Sequence, residues 1–293
     1  MNEEKQVKDN YTFKLRVKSG ILFVVCVILT LICLIPIYIM IVNATRSHVD
    51  IQSKVSFWFG DQLIRNIKEL NENQNFQMFD ALTGFKNSAI IAVGATFLSV
   101  FFSALTAYGL YVYDFKLKGP AYTVILGVMM VPMQVTSVGF LQFMIKLGLN
   151  DSFIPLIIPT IAAPAIVFFM RQYLQSSLSL SLIEAARIDG CGEFRTFLQI
   201  AIPLMKPAIA VQAIFAFIAN WNNFYQPSMI LISRKQEQLT MPMMINALKS
   251  NDKIADYGVI YYAIALSIVP LIVAYLLLSK FIVEGVALGG VKE

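Results

Sequence analysis

The side chains best suited to binding a small molecule lie close together near residue 220. Gln212, Asn220 and Asn223 fall on roughly one face of a predicted helix, and Trp221 and Tyr225 stand beside them. Aromatic rings stack on sugar rings and amide groups form hydrogen bonds with hydroxyls, so this chemistry suits a neutral polyol. The alternative is that the amides join neighbouring helices inside a membrane, where each such hydrogen bond contributes about 1 kcal/mol.

Another amide, Gln134, follows Pro132 within a separate apolar segment. Proline lacks a backbone donor and leaves one carbonyl without its helical partner, so we expect the helix to loosen at this point. An amide in the middle of an apolar segment needs a hydrogen-bond partner. We therefore predict that five residues line the substrate path of the small molecule: Gln134, Asn220, Trp221, Asn223 and Tyr225.

A second distinctive pattern is a short segment that combines charged and very small residues. Ser181 and Glu184 have the spacing of a capping box, in which each side chain binds the other residue's backbone amide, so a helix is predicted to start there. Gly190 predicts its end. Ala185 and Ala186 leave room for another surface to approach closely. We expect a short surface helix that is available for docking.

The chain offers few groups for acid–base or metal chemistry. Its 293 residues include one histidine and three cysteines, without a CxxC pair or a recognisable cluster of metal ligands. It lacks the GxxxxGK[ST] phosphate-binding loop, so any ATP that drives this protein must be bound by another polypeptide. No basic patch interleaved with aromatic residues predicts nucleic-acid binding, and no cofactor is indicated. We expect a protein that is not itself an enzyme.

Long uncharged stretches dominate the sequence, which is 57% hydrophobic and only 14% charged. A membrane core about 30 Å thick needs roughly 20 apolar residues of helix to cross it. Six stretches are long enough, and their continuous apolar character predicts helices rather than the alternating strands of a barrel. The predicted fold class is an all-α integral membrane protein with six spans, approximately residues 20–43, 87–112, 120–145, 153–170, 207–232 and 257–280.

Charged side chains are missing from these spans. Apart from Lys280 at the end of the last span, they contain no Asp, Glu, Lys, Arg or His. Proton-driven carriers and intramembrane enzymes normally need such groups inside the membrane, so both are disfavoured. Sodium coupling through carbonyl and hydroxyl oxygens stays open. The second span instead carries small residues at every fourth position, which predicts a close packing face: Ala95, Ser99, Ser103 and Ala107.

The distribution of Lys and Arg predicts the orientation of the chain in the membrane. With the N-terminus inside, the inner segments hold 13 basic residues and the outer segments 10, and five basic residues precede the first span. Both termini are then cytoplasmic, with residues 1–18 as an irregular tail and the first span as an uncleaved anchor. The loop 172–206, between the fourth and fifth spans, is also cytoplasmic and contains the short helix predicted at Glu184.

This cytoplasmic loop resembles the EAA loop of binding-protein-dependent ABC importer permeases. The matching positions are Glu184-Ala185-Ala186, Arg187, Gly190, Ile202-Pro203-Leu204 and Pro207. The whole string EAARIDGCGEFRTFLQIAIPLMKP is similar to the carbohydrate-importer branch, the relatives of the maltose/maltodextrin permeases. Trp221-Asn222-Asn223-Phe224 and the glycine-rich C-terminal stretch agree with that branch, although Asn223 stands where the family often has an acid.

The resemblance implies a permease subunit that works with other chains in the plasma membrane of a bacterium. In that family the EAA helix docks in a groove of an ATPase subunit, and ATP-driven closure of the ATPases switches the channel from inward- to outward-facing. The residues implied in this ATPase coupling are Glu184, Ala185, Ala186, Arg187, Asp189 and Gly190. The implied partners are two ATP-binding subunits, a second permease that is a different chain, and an extracytoplasmic solute-binding protein.

The implied substrate is a sugar, and more narrowly an oligosaccharide. The outer loop between residues 234 and 256 is expected to touch the solute-binding protein. Two other functions stay open at this point. One is an ABC importer permease for another small solute, such as a glycerol phosphate, and the other is a self-sufficient secondary carrier.

Overall fold

The computed structural model describes residues 2–73, 76, 79–249 and 256–289. All regular elements among these residues are helical, as the sequence predicts. The chain divides into two compact units, residues 1–76 with 252–266 and residues 77–251 with 267–293. The first unit contains the long N-terminal helix and the loop that follows it. The second unit contains both groups of predicted functional residues.

Fourteen α-helices are present in the described part of the chain, together with short 3₁₀ and π segments at 158–161, 197–201 and 236–238. The α-helices are α1 Asn2–Ala44, α2 His48–Ser53, α3 Leu63–Glu72, α4 Ala81–Val112, α5 Lys118–Met129, α6 Met133–Lys146, α7 Ile154–Ile157, α8 Pro164–Ser177, α9 Leu180–Ile188, α10 Glu193–Thr196, α11 Ile202–Trp221, α12 Tyr225–Ile230, α13 Met241–Lys249 and α14 Tyr257–Gly289.

Five helical segments of the described chain are long and apolar enough to cross a membrane. They are Arg16–Ala44, Ala81–Val112, Ile154–Ser177, Glu193–Trp221 and Tyr257–Lys280. A sixth span exists if α5 and α6 count as one, although their axes meet at a bend of 99°. The bend follows from Pro132, which precedes α6 in an extended conformation and cannot continue the hydrogen-bond ladder of α5.

Two predicted boundaries differ from the structure. Residues 1–18 were expected to be irregular, but α1 already begins at Asn2. The predicted span 207–232 is interrupted, because α11 ends at Trp221 and α12 starts at Tyr225. The side-chain oxygen of Asn223 accepts a hydrogen bond from the backbone amide of Gln226 at 3.2 Å, and such local bonds compete with the helical ladder.

The core of the second unit forms where α8 and α11 pack against α4. The predicted small-residue stripe of α4 is buried at all four positions, Ala95, Ser99, Ser103 and Ala107. The hydroxyl of Ser103 donates to the carbonyl oxygen of Ala163 at 3.3 Å, so a neighbouring backbone approaches α4 directly. The prediction of a close packing face is confirmed.

Candidate functional site

The second unit contains a cavity of about 940 Å³ between α4, α11 and the broken segments around them. Such a volume accommodates a ligand of several hundred daltons. Among the described residues that line the cavity, none carries a charge. The polar ones are Ser99, Gln134, Thr160, Gln212, Asn220, Asn222, Asn223, Tyr225 and Gln226, and the aromatic ones are Phe215, Phe224 and Tyr225.

The structure brings together four of the five residues predicted for the substrate path. Gln134 comes from α6, Asn220 from the end of α11, Asn223 from the break, and Tyr225 from the start of α12. The break after α11 explains the convergence, since it releases the chain from a continuous helix and turns both sides of the junction towards one space. Amide and phenol groups in this arrangement can bind hydroxyls from several directions.

Hydrogen bonds hold part of this lining in place. The Asn223 side-chain amide donates to the Gln226 side-chain oxygen at 2.8 Å. The Tyr225 hydroxyl lies 2.9 Å from the hydroxyl of Ser137 on α6, which connects α12 with α6. Asn220 donates to the carbonyl of Ala216 one turn earlier at 2.8 Å. The lining is therefore partly pre-organised, which lowers the entropy lost when a ligand binds.

Trp221, the fifth predicted residue, is not in the cavity. Its side chain is buried, with a relative exposure of 2%, and its indole nitrogen donates to the carbonyl of Ser267 on α14 at 3.0 Å. Its ring stacks against Phe217 and Phe85, with centroid distances of 5.7 and 6.1 Å. The prediction that Trp221 contacts substrate is corrected, because the helix ends with this side chain directed into a packed interface.

Sequence reasoning missed the contribution of the segment before α8. Thr160 lines the cavity, and its hydroxyl donates to the carbonyls of Ile157 and Ala95 at 2.6 and 3.1 Å. Pro155, Pro159 and Pro164 also line it and divide this segment into α7, a 3₁₀ turn and α8. Three prolines within ten residues were the available signal, since discontinuous membrane helices commonly form binding sites.

The predicted surface helix is present as α9, although it starts differently from the prediction. The expected capping box between Ser181 and Glu184 is wrong. The helix begins at Leu180 after Ser179, which makes no capping bond with its side chain, and the hydroxyls of Ser179 and Ser181 lie 2.7 Å apart and bind each other. Ser181 is thereby inside the first turn of the helix, where its hydroxyl cannot serve as the N-terminal cap.

The end of α9 follows the prediction closely. Gly190 has φ of +77°, the left-handed conformation that glycine adopts without a steric penalty. The amide of Cys191 donates to the carbonyl of Ala186 at 2.9 Å, and the amide of Gly190 donates to that of Arg187 at 3.0 Å. These two bonds define a Schellman motif, which turns the chain sharply out of the helix.

The six predicted coupling residues lie on α9 and its C-terminal turn, and none of them lines the cavity. Glu184, Ala185, Arg187, Asp189 and Gly190 are exposed. Ala186 faces inward with Ile183, and both are buried, so of the two alanines only Ala185 is on the outer face. Large apolar side chains are exposed beside it, with Ile188 at 86% and Leu182 at 48%. An exposed apolar surface on a short rigid helix is typical of a docking site.

A network of three side chains connects α9 to the rest of its unit. Arg187 binds the carboxylate of Glu193 with two nitrogens, at 2.8 and 3.3 Å. The Tyr113 hydroxyl donates to the same carboxylate at 2.6 Å. Burial, followed by this hydrogen bond, raises the pKa of Tyr113 to about 12, so the phenol remains protonated and acts as a donor at physiological pH. The signal for this network in the sequence was weak, because Tyr113 and Glu193 are 80 residues apart.

Comparison with known proteins relates most of the chain to membrane components of transport systems. Residues 99–287 match the family described as "Binding-protein-dependent transport system inner membrane component". The chain is 37% identical over 208 residues to the arabinooligosaccharides transport system permease protein AraQ of Bacillus subtilis, which covers 71% of this chain and 73% of that protein. It is 28% identical over 282 residues to the lactose transport system permease protein LacG of Rhizobium radiobacter, covering 96% and 99%.

A solved structure supports the fold independently. It is the crystal structure of a bacterial ABC transporter involved in the import of the acidic polysaccharide alginate. One of its chains is similar to this one with a TM-score of 0.72 and 23% sequence identity, covering 90% of this chain and 96% of that chain.

Proposed function

Since this chain belongs to the family of binding-protein-dependent transport system inner membrane components, we propose that it forms part of the translocation path of an ABC importer for an oligosaccharide. Members of this family are permease subunits rather than enzymes. A solute-binding protein outside the membrane delivers the sugar. Two ATP-binding subunits on the cytoplasmic side drive the transport. A second permease, which is a different chain, completes the channel.

The uncharged lining of the cavity is the observation that carries the substrate class. Amide groups of Gln212, Asn220 and Asn223 and the phenol of Tyr225 offer donors and acceptors without a fixed charge. A neutral ligand with many hydroxyls matches this lining, whereas an ion would lose hydration without gaining an opposite charge. The names of two relatives support the same class, since AraQ and LacG are described as permeases for arabinooligosaccharides and lactose.

Helix α9 supports the coupling part of the proposal. The helix is short, ends in a rigid Schellman motif at Gly190, and exposes Ile188 and Leu182 to solvent. These features fit a helix that docks in a groove of an ATP-binding subunit and moves as one body with it. Glu184, Arg187 and Asp189 provide charges around the apolar contact, which set the orientation of docking more than its strength.

The orientation in the membrane follows from the same assignment. If α9 docks on a cytoplasmic ATPase, the five basic residues before the first span and the N-terminus lie in the cytoplasm, in agreement with the positive-inside rule. An even number of spans then returns the C-terminus to the same side. This orientation requires α5 and α6 to cross the membrane together as one bent span.

A relative with another substrate provides the main alternative. The chain is 28% identical over 267 residues to an sn-glycerol-3-phosphate transport system permease protein of Yersinia pestis. A phosphate ester would require Lys or Arg at its binding site. The described lining has neither, so the sugar remains the better match. A self-sufficient secondary carrier is disfavoured by the family assignment.

Uptake of labelled oligosaccharide into membrane vesicles tests the proposal. The chain is co-expressed with its candidate second permease and ATP-binding subunit, and the native chain is compared with Gly190→Pro. We expect uptake that requires ATP, and loss of both uptake and ATPase co-purification in the variant. Transport that continues without any ATP-binding subunit would contradict the coupling, and uptake of a phosphate ester in preference to sugars would contradict the substrate class.

A further inference from the structure

Three consecutive aromatic residues in the first unit are exposed after the end of α1. Phe57, Trp58 and Phe59 have relative exposures of 53%, 83% and 60%. Val55 precedes them at 76%. Aromatic side chains with this much exposure on a folded loop are unusual for a surface that faces water. The loop therefore presents an apolar surface that needs a partner.

The loop folds back along α1 rather than extending away from it. The hydroxyl of Tyr38 donates to the backbone carbonyl of Phe57 at 2.6 Å. The ring of Phe59 meets the ring of Tyr38 edge to face, with a centroid distance of 5.9 Å. Tyr38 lies six residues before the end of α1, which is about 9 Å along the helix axis. The aromatic residues thus lie beside the last turns of a membrane span.

Buried polar contacts hold this loop in position. The Arg46 side chain is buried and donates to the carbonyl of Lys54 from two nitrogens, each at 3.1 Å, and to the carbonyl of Asp50 at 2.8 Å. The amide of Gly60 donates to the hydroxyl of Thr45 at 2.8 Å. A side chain at residue 60 would approach the Thr45 carbonyl to 2.5 Å, so glycine is required for this close contact. The exposure of the aromatic residues therefore belongs to a fixed conformation.

The depth of these residues along α1 coincides with the membrane boundary. Arg16 and Lys18 mark the other boundary, because basic side chains stay in the headgroup region. About 20 helical residues cross the hydrocarbon core. Counted from Gly20, this length ends near Ile39, which is next to Tyr38. Phe57 and Phe59, which contact Tyr38, are therefore at the level where the hydrocarbon core meets the headgroups.

We propose that Phe57, Trp58 and Phe59 form an interfacial anchor that inserts into the lipid surface at the end of α1. Tryptophan and other aromatic rings favour this layer because their apolar faces enter the hydrocarbon while polar atoms stay hydrated. The level of these residues along α1, where the hydrocarbon core meets the headgroups, favours lipid as the occupant over a protein. The most apolar stretch of α1 is also not buried by the rest of this chain. Lys54 and Asp61, on either side of the aromatic group, keep the flanking backbone at the polar side.

Fluorescence quenching in vesicles tests the anchor on the full chain. The chain has two tryptophans, so Trp221→Phe leaves Trp58 as the only one. With lipids brominated near the headgroup, we expect Trp58 to lose about half of its fluorescence, and clearly less with bromine near the chain ends. The matched control is Trp58→Phe, which leaves the buried Trp221 shielded from aqueous iodide. Strong quenching of Trp58 by iodide without quenching by brominated lipids would overturn the proposal.

Photo-cross-linking in cells tests the anchor in the complete transporter. A benzophenone amino acid replaces Trp58, and in a control it replaces Ile64, which is 69% exposed on α3 of the same unit. We expect phospholipid adducts at position 58 and few at position 64. An adduct between position 58 and another protein chain, without a lipid adduct, would show that a protein partner covers the aromatic group and that lipid does not.

Discussion

The hydroxyl of Tyr113, the residue that follows α4, donates a hydrogen bond of 2.6 Å to the carboxylate of Glu193 at the start of α10. The same carboxylate pairs with Arg187 near the end of α9. Three elements are therefore connected at one point. The pair between Arg187 and Glu193 is about half exposed and contributes little to stability, so its main effect is on the direction in which α9 points.

The first prediction concerns the coupling of ATP hydrolysis to transport. We expect Glu193→Gln to lower the amount of sugar taken up per ATP severalfold, because α9 then transmits its movement to α4 less directly. Co-purification of the ATP-binding subunit should be retained, because the exposed face of α9 is unchanged. The measurement is the ratio of uptake to ATP hydrolysis in proteoliposomes of the complete transporter.

Two further variants serve as controls for the ratio of uptake to ATP hydrolysis. Tyr113→Phe removes one hydrogen bond, which contributes about 1 kcal/mol, and should lower the ratio less than Glu193→Gln. Asp114→Asn removes an exposed charge next to the network and should leave the ratio unchanged. If Glu193→Gln keeps the native ratio of sugar uptake to ATP hydrolysis, the network does not contribute to coupling.

The second prediction concerns the turn that ends α9. An alanine at Gly190 must adopt φ of +77°, which costs about 1–2 kcal/mol. We expect Gly190→Ala to weaken binding of the ATP-binding subunit and to reduce uptake. Gly192→Ala is the matched control, since Gly192 has φ of −66° and an added methyl group meets no atom within 4 Å at either position. Equal behaviour of the two variants would show that the left-handed turn does not matter for docking.

The membrane helices were predictable because charge and length alone decide whether a segment can enter a bilayer. The stripe from Ala95 to Ala107 was also predictable, since small residues at every fourth position lie on one side of a helix. The turn at Gly190 followed from the same local logic. In each case the controlling interaction lies within one helix or one turn, so the sequence contains it directly.

The parts that could not be predicted depend on contacts between distant segments. Trp221 looked like a sugar-stacking residue, and only the position of α14 shows that its indole binds the carbonyl of Ser267. The helix is interrupted at Asn223, whose side chain forms hydrogen bonds with Gln226, and the sequence does not show which partner this side chain binds. The helix start at Leu180 was missed because the hydroxyls of Ser179 and Ser181 bind each other instead of the backbone.

The third prediction separates residues that bind substrate from residues that support the fold. Gln212→Leu removes a polar group from the cavity, and we expect KM for the sugar to rise roughly three- to tenfold, which corresponds to about 1 kcal/mol. Trp221→Phe should leave KM unchanged and lower the melting temperature, because the hydrogen bond from the buried indole to the carbonyl of Ser267 is lost. An increase of KM in Trp221→Phe alone would reverse this assignment and return Trp221 to the substrate path.

The fourth prediction concerns acid stability of the turn at Asp151. The carboxylate accepts hydrogen bonds from the hydroxyl and the backbone amide of Ser233, at 2.6 and 2.8 Å. These bonds, the hydroxyl first, lower the pKa of Asp151 below its ordinary value of 3.8. A lowered pKa in the folded state means that the unfolded chain binds the proton more readily. The stabilisation is therefore complete above the ordinary pKa and is lost as the pH falls through the pKa of the folded protein.

Thermal unfolding of Asp151→Asn in detergent at two pH values checks this sign. Asparagine accepts the φ of +56° at this position, so the variant changes the charge with little backbone strain. We expect a lower melting temperature than native near pH 6, and a smaller difference at about pH 3. That pH is below the ordinary pKa, so the unfolded native chain takes up a proton and the stabilisation by the carboxylate decreases. Asp151→Ala should be less stable than Asp151→Asn at both pH values, because alanine disfavours the left-handed conformation. A deficit of Asp151→Asn that is the same at both pH values would show that geometry, and not the charge of the carboxylate, stabilises this turn.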